Sequence, residues 1–246
     1  VGAEAALLEA ICAAPGRDEP RLVYADWLLE RHDPRGEFIQ LQIAQSRLLK
    51  RTPAYEAHAE RIEALLAAHL PAWIPKVAFG RREPHEWTFV RGFPSALTIH
   101  AADFAGRREE VLRTAPLLEE LNLGCGGKSP LASDPAAWLK WLFAEPAMAR
   151  VKTLRLTDPT SVIAISLAGE KGARGLELLE LAAGKLDHSV WELLADPGSH
   201  LLGLRGLTLT MNGARDVAIE RLLARPWPRL RSLHLASEPI GERGIR

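Results

Sequence analysis

Leu118-Glu119-Glu120-Leu121-Asn122-Leu123 returns, in conservative variants, four more times along the chain. The returns are Val151-Lys152-Thr153-Leu154-Arg155-Leu156, Leu176-Glu177-Leu178-Leu179-Glu180-Leu181, Leu204-Arg205-Gly206-Leu207-Thr208-Leu209 and Leu230-Arg231-Ser232-Leu233-His234-Leu235. In each, the last two apolar residues stand two apart, the period of a strand that buries one face. The closing residues Leu123, Leu156, Leu181, Leu209 and Leu235 follow one another at intervals of 33, 25, 28 and 26. A looser unit, Phe93, Leu97 and Ile99, precedes Leu123 by 24 residues and is expected to start the sheet.

Helical patterns fill the intervals: Ala102 to Thr114, Asp134 to Ala144, Asp187 to Leu194 and Ala214 to Ala224. Asp134-Pro135 supplies an N-cap and a proline at the first helical position. The segment Asp158 to Ala168 is ambiguous between helix and loop, because Val162, Ile163 and Ile165 favour a strand. Strand, turn and helix at this period read as leucine-rich repeats. No such unit buries its own leucines, so neighbours stack into a solenoid with a curved parallel sheet. The alternation then turns Thr98, His100, Glu120, Asn122, Thr153, Arg155, Glu180, Thr208, Thr210, Ser232 and His234 away from the core, onto a concave face. Three places after each closing leucine, where such repeats often use asparagine, stand Gly126, Pro159, Gly184, Asn212 and Glu238. Only Asn212 fits, so irregular turns are expected. The repeats are most similar to the long, helix-containing ribonuclease-inhibitor type, and Glu238 to Gly244 resembles the opening of one more helix.

The first third is different in kind. Apolar residues at helical spacing predict helices over Glu4 to Ala13, from Asp18 to about His32, from Asp33-Pro34 to Leu49, and from Pro53 to Leu70, where Pro71 and Pro75 stop the last. Asp18 and Asp33 are the expected caps. Within this bundle, Asp18-Glu19-Pro20-Arg21-Leu22-Val23-Tyr24-Ala25-Asp26-Trp27-Leu28 and Asp33-Pro34-Arg35-Gly36-Glu37-Phe38-Ile39-Gln40-Leu41-Gln42 form two continuous blocks. They resemble the bacterial repeat-companion domain, or repeat-mate family, which accompanies leucine-rich repeats chiefly in planctomycetes and myxobacteria. The resemblance covers roughly the first fifty residues and implies no catalytic role. The expected architecture is α/β: a helical repeat-companion domain over 1–80 capping an irregular leucine-rich-repeat solenoid over 81–246.

Thirty-one basic residues balance thirty-one acidic ones, so no net field draws the chain to nucleic acid or to an anionic membrane. Arginines at Arg81-Arg82, Arg107-Arg108 and Arg225 to Arg231 are interleaved with acids, which reads as a mixed, solvated surface. Two cysteines, Cys12 and Cys125, are too few for a disulfide framework or a zinc site. With no bilayer-length apolar run and no basic leader, a cytoplasmic protein is expected. Gly124-Cys125-Gly126-Gly127-Lys128-Ser129 has the flavour of a phosphate loop, but Asn122 stands where the first glycine of one belongs. Lys128 could activate Cys125 as a thiolate, although no histidine accompanies it. His188, His200 and His234 have no metal-ligand spacing.

Tyr24, Asp26, His32, Asp33 and Glu37 bring titratable groups near one turn, the raw material of acid–base chemistry. Capping explains Asp33, core packing explains Tyr24 and Trp27, and a bond to Arg21 or Arg35 explains Asp26. Among the tryptophans, Trp138 and Trp141 share one helix and could leave a ring exposed as an anchor. The reading that results is a non-enzymatic module without cofactor or metal. It binds a partner protein, with a protease or effector among the candidates, through the concave face and loops. The alternative is a regulated target or subunit, such as a protease substrate, of a bacterial defence or signalling assembly.

Overall fold

The computed structural model describes residues 2–74, 86–127, 130–184, 186–224 and 226–241. Pro75, Arg81, Arg82, Lys128, Ser129, Arg225 and residues 242–244 lie outside the described residues, as do the side chain of His188 and the expected boundary at 80/81. The chain is mixed α/β, with eleven α-helices among the described residues and a seven-stranded, mostly parallel sheet. It divides into two compact units.

The first unit holds the described residues up to 74 together with Trp87–Ser95 and Glu109–Leu117. Its helices are α1 (Ala3–Ala13), α2 (Glu19–Leu29), α3 (Pro34–Ser46) and α4 (Pro53–Trp73). Asp33 caps α3 by accepting the Arg35 N–H at 2.8 Å, and Thr52 caps α4 by accepting that of Tyr55 at 3.3 Å. Each cap is followed by proline, which gives up an N–H that had no helical partner. Helices α2 and α3 come together at Gly36, where a Cβ would stand 2.5 Å from the Ala25 carbonyl oxygen and 2.8 Å from Leu29 Cγ. Ile11, Tyr24, Ala25, Leu28, Ile39, Ile43 and Phe93 form the core around that approach. Helix α4 runs past Pro71 rather than ending at Leu70. A proline in the last turn forfeits one bond, Ile74 N–H still reaches the Leu70 carbonyl at 3.0 Å, and Trp73 packs on Phe38 at 5.0 Å between ring centroids.

Two expected roles differ. Asp18 makes no cap bond; its carboxylate takes Arg47 at 2.7 Å and Arg91 at 3.1 Å. Asp26 meets neither Arg21 nor Arg35 but accepts from Gln40 Nε2 at 2.8 Å on the surface. The two guanidiniums lie instead 5.0 and 5.2 Å from the centroid of the Phe93 ring, with Arg21 also donating to the Pro15 carbonyl at 2.9 Å. Phe93 opens β2 (Phe93–His100), which follows β1 (Glu86–Val90), a strand the leucine pattern did not announce. The turn between them, Arg91-Gly92, has φ of 50° and 84°, the backbone of a two-residue hairpin turn. Gly92 is forced twice over, since a Cβ there would stand 2.2 Å from Ile39 Cγ1.

The second unit holds Glu86, Ala96–Arg108 and the described residues from Leu118 onward. After β2 come β3 (Glu120–Gly124), β4 (Thr153–Thr157), β5 (Leu178–Ala182), β6 (Gly206–Thr210) and β7 (Ser232–Ala236), each parallel to the one before. Register places Leu97, Leu121, Leu154, Leu179, Leu207 and Leu233 in one row and Ile99, Leu123, Leu156, Leu181, Leu209 and Leu235 in the next. From β3 to β6 these leucines are at most 2% exposed, whereas Leu233 and Leu235 on β7 are only half-buried.

The connections carry α5 (Ala101–Ala105), α6 (Arg108–Thr114), α7 (Pro130–Ser133), α8 (Pro135–Phe143), α9 (Ser161–Gly169), α10 (His188–Leu194) and α11 (Asp216–Leu223). The helix expected over 102–114 is broken in two at Gly106-Arg107. The ambiguous segment is helix α9: Thr160 caps it by accepting the Ile163 N–H at 3.4 Å, and burial of one helical face, Ile163, Ala164, Leu167 and Ala168, outweighs the strand preference of Val162, Ile163 and Ile165.

The turns are more regular than the missing asparagines implied. The residue after each of β4 to β7, Asp158, Ala183, Met211 and Ser237, has φ between 54° and 56°. Asn212 is buried, accepts the Gly184 N–H at 3.2 Å and donates to the Leu181 carbonyl at 2.8 Å. Glu238, which departs from the asparagine pattern, does comparable work, its two oxygens accepting the N–H groups of Asn212 and Ala214 at 2.7 Å each.

Two outcomes are expected. Gly36→Ala wedges a methyl group between α2 and α3 and lowers stability by about 3 kcal/mol, measured by urea unfolding. The Arg47 hydrogen bond, with Arg91 beside it, holds the Asp18 carboxyl below its ordinary value against some burial. A depressed folded value gives stability that is present above the unfolded value and lost as pH falls. Asp18→Asn is therefore less stable by about 1 kcal/mol at neutral pH, and melting curves converge with the parent's as pH falls through and below the ordinary carboxylate range.

Candidate functional site

Alternation turns three rows of side chains away from the buried leucines. They are Ala96, Glu120, Thr153, Leu178, Gly206, Ser232; Thr98, Asn122, Arg155, Glu180, Thr208, His234; and His100, Gly124, Thr157, Ala182, Thr210, Ala236. All eleven residues expected on the open face occupy these rows. The middle row makes six of them lateral neighbours, one strand spacing apart. Sequence reasoning missed Leu178, 45% exposed in the first row, because an apolar residue beside three leucines reads as core. It also missed Thr157 and Asp158, which lie just beyond the last leucine of their unit.

Arg155 is the electrostatic centre of the face. Its Nε lies 3.4 Å from Glu120 and 3.3 Å from Glu180, so one cation spans three strands and the group carries one net negative charge. With Arg155 46% exposed, water screens both contacts, and they orient the side chains more than they stabilise the fold. Asn122 Nδ2 donates to Thr98 Oγ1 at 3.1 Å and to Glu120 Oε1 at 3.2 Å, while its buried Oδ1 has no hydrogen-bond partner among the described residues.

At the carboxyl ends of β2, β3 and β4 the face deepens into a cleft of about 510 Å³. Thr98, His100, Asn122, Thr157 and Asp158 line it, and Gly124, Gly126 and Gly127 leave it open. His100 is less free than its face position suggests. Its Nδ1 accepts the Ala102 N–H at 3.2 Å, capping α5, so Nε2 carries the proton and donates to the Gly126 carbonyl at 2.8 Å. Parallel sheets open toward ligands at this end of their strands.

Other candidates are dispersed. Asp26, His32 and Glu37 do not converge: Asp26 holds Gln40, His32 is exposed in the turn after α2 with φ 57°, and Glu37 pairs with Arg61 through two contacts of 2.7 Å. Tyr24 donates to Glu4 at 2.9 Å, and burial pushes its hydroxyl well above the usual phenol value. Trp138 is buried against Phe104, and the Arg108 guanidinium lies 4.0 Å from the Trp141 ring centroid, so neither ring stands free as an anchor. His200 accepts from Arg174 Nε at 3.0 Å. No group of three or more His, Cys, Asp or Glu among the described residues is arranged to hold a metal ion, and no described helix is long and apolar enough to cross a membrane.

Cys125, between the lining residues Gly124 and Gly126, is 2% exposed, and burial, with the Asp158 charge adding to it, pushes its thiol up to about 12. This is the opposite of thiolate activation. The native chain at pH 8 is therefore expected to leave Cys125 unmodified by iodoacetamide while the urea-unfolded chain is alkylated there, as read by peptide mass spectrometry. The chain matches no protein-family model and no curated protein sequence.

Proposed function

We propose that this chain is a non-enzymatic interaction module, a repeat-companion helical domain followed by a leucine-rich-repeat solenoid, and that it binds a partner protein across the three outward rows. The observation that carries the reading is the middle row. Thr98, Asn122, Arg155, Glu180, Thr208 and His234 are polar, adjacent and on rigid strands, with charges already oriented by one another. Exposed Leu178 gives that polar field an apolar contact point. Preorganised polar groups around an apolar centre suit protein recognition better than turnover, which also needs convergent acid, base or nucleophile. A protease or effector is a fitting class of partner, in the cytoplasm of a bacterium.

The test is capture from a lysate of the source organism with the intact chain as bait, followed by binding measurements on the purified partner. Arg155→Glu combined with Glu180→Arg keeps one ion pair but inverts its polarity. It is expected to weaken binding at least tenfold, about 1.4 kcal/mol, with an unchanged melting temperature. Arg221→Glu, at the Arg221–Glu192 pair on α11 and α10, should bind as the parent does. Equal affinity in all three proteins would move the interface off the sheet.

A further inference from the structure

The cleft at the ends of β2, β3 and β4 has a chemistry more specific than the rest of the face. Among the described residues Asp158 is the one charged side chain lining it, and its carboxylate makes no hydrogen bond or ion pair with any of them. Nearby groups do not neutralise it. His100 has both ring nitrogens committed in a neutral tautomer, and Arg155, the cation of the adjoining row, is held between Glu120 and Glu180.

Backbone conformation places this carboxylate without explaining it. Ala183, Met211 and Ser237 occupy the same left-handed position after their strands, so the turn needs no acid, and of the four residues only Asp158 is charged. The glycines keep the space in front of it clear. A Cβ on Gly126 would stand 3.2 Å from Asp158 Oδ2, and one on Gly124 would stand 3.4 Å from His100 Cδ2. The surrounding polar atoms include the Thr98 and Thr157 hydroxyls, so the described lining offers acceptors and no cation.

An anionic ligand would meet Asp158 directly, and one carboxylate with neutral oxygens is a poor set for a divalent metal. A guanidinium fits: it is always charged, offers five N–H donors in a plane, and pairs with a carboxylate through two parallel bonds. We propose that this cleft receives an arginine side chain of the partner polypeptide, with Asp158 as its counter-ion and the Thr98 and Thr157 hydroxyls as further acceptors. The assignment rests on the face being a partner-binding surface and names what that surface selects: a segment with an arginine placed to enter beside the middle row. Lysine would enter as a point charge and bind more weakly.

The probe is the peptide acetyl-Gly-Arg-Gly-amide titrated into the isotopically labelled full chain and followed by amide chemical shifts. Saturable shifts are expected at Thr98, His100, Gly126, Thr157 and Asp158, smaller ones with the lysine peptide, and none with the neutral citrulline peptide. Asp158→Asn keeps the left-handed turn, which asparagine tolerates, and should weaken the arginine peptide at least tenfold at an unchanged melting temperature. Equal shifts with citrulline, absence of saturation, or full affinity in Asp158→Asn overturns the assignment. With the captured partner, binding kept by Asp158→Asn but lost on inverting Arg155 and Glu180 defeats the cleft alone. Binding kept by both variants defeats the face as well.

Discussion

Each inward leucine of the parallel ladder is covered because the strand beside it brings the next one. A lone strand and helix would leave two leucines half in water, and burying a leucine side chain is worth roughly 1.5 to 3 kcal/mol. The last described strand shows the deficit directly: among the described residues Leu233 and Leu235 have a strand neighbour on one side and stay half-buried, while their counterparts from β3 to β6 are sealed. Register is the price of this arrangement, because a slip by one residue would turn every leucine outward. The same constraint that packs the interior therefore fixes which residues line up on the outside, and the Glu120–Arg155–Glu180 bridge is a by-product of leucine packing one residue away.

The helical unit rests on a different interaction. The Phe93 ring lies within cation–π reach of both Arg21 and Arg35, two long side chains that elsewhere would seek water. Burial holds the Arg35 guanidinium below its ordinary value, opposed by Tyr24, Asp33 and Glu4. Around that centre Gly36, Gly92 and Gln42 are fixed by contact, with Gln42 Oε1 accepting the Gly92 N–H at 2.7 Å. Much of the two continuous sequence blocks is thereby spent on building the unit.

What could be read in advance follows from how local each signal is. Leucines two apart, returning every 25 to 33 residues, announced strands β3 to β7 and the outward rows, since alternation is a property of the strand itself. Caps at Asp33 and Asp134 were legible because cap and proline are adjacent. Long-range partners were not: Asp18 looked like a cap until Arg47 and Arg91 came to it, and Asp26 lost its arginines to a phenylalanine more than fifty residues away. Strand-forming residues in α9 misled because burial of a helical face made mostly of alanine and leucine outweighs their propensity. The cleft was hidden for a related reason, as Asp158 matters through the glycines of the neighbouring unit rather than through anything beside it in the chain.

A backbone that turns left-handed after each of β4 to β7 also restricts the alphabet at that place. Any residue with a Cβ costs roughly 1 to 2 kcal/mol there and a β-branched one costs more, and Asp158, Ala183, Met211 and Ser237 are all unbranched at Cβ. These side chains stand at the same height on successive strands, about 4.8 Å apart, at the mouth of the sheet. Divergence among related chains would be channelled accordingly: charge and hydrogen-bonding capacity can be exchanged at these positions without disturbing the ladder, while shape is confined to small or flexible residues. Selectivity at this rim would then evolve by electrostatics before it evolved by steric fit.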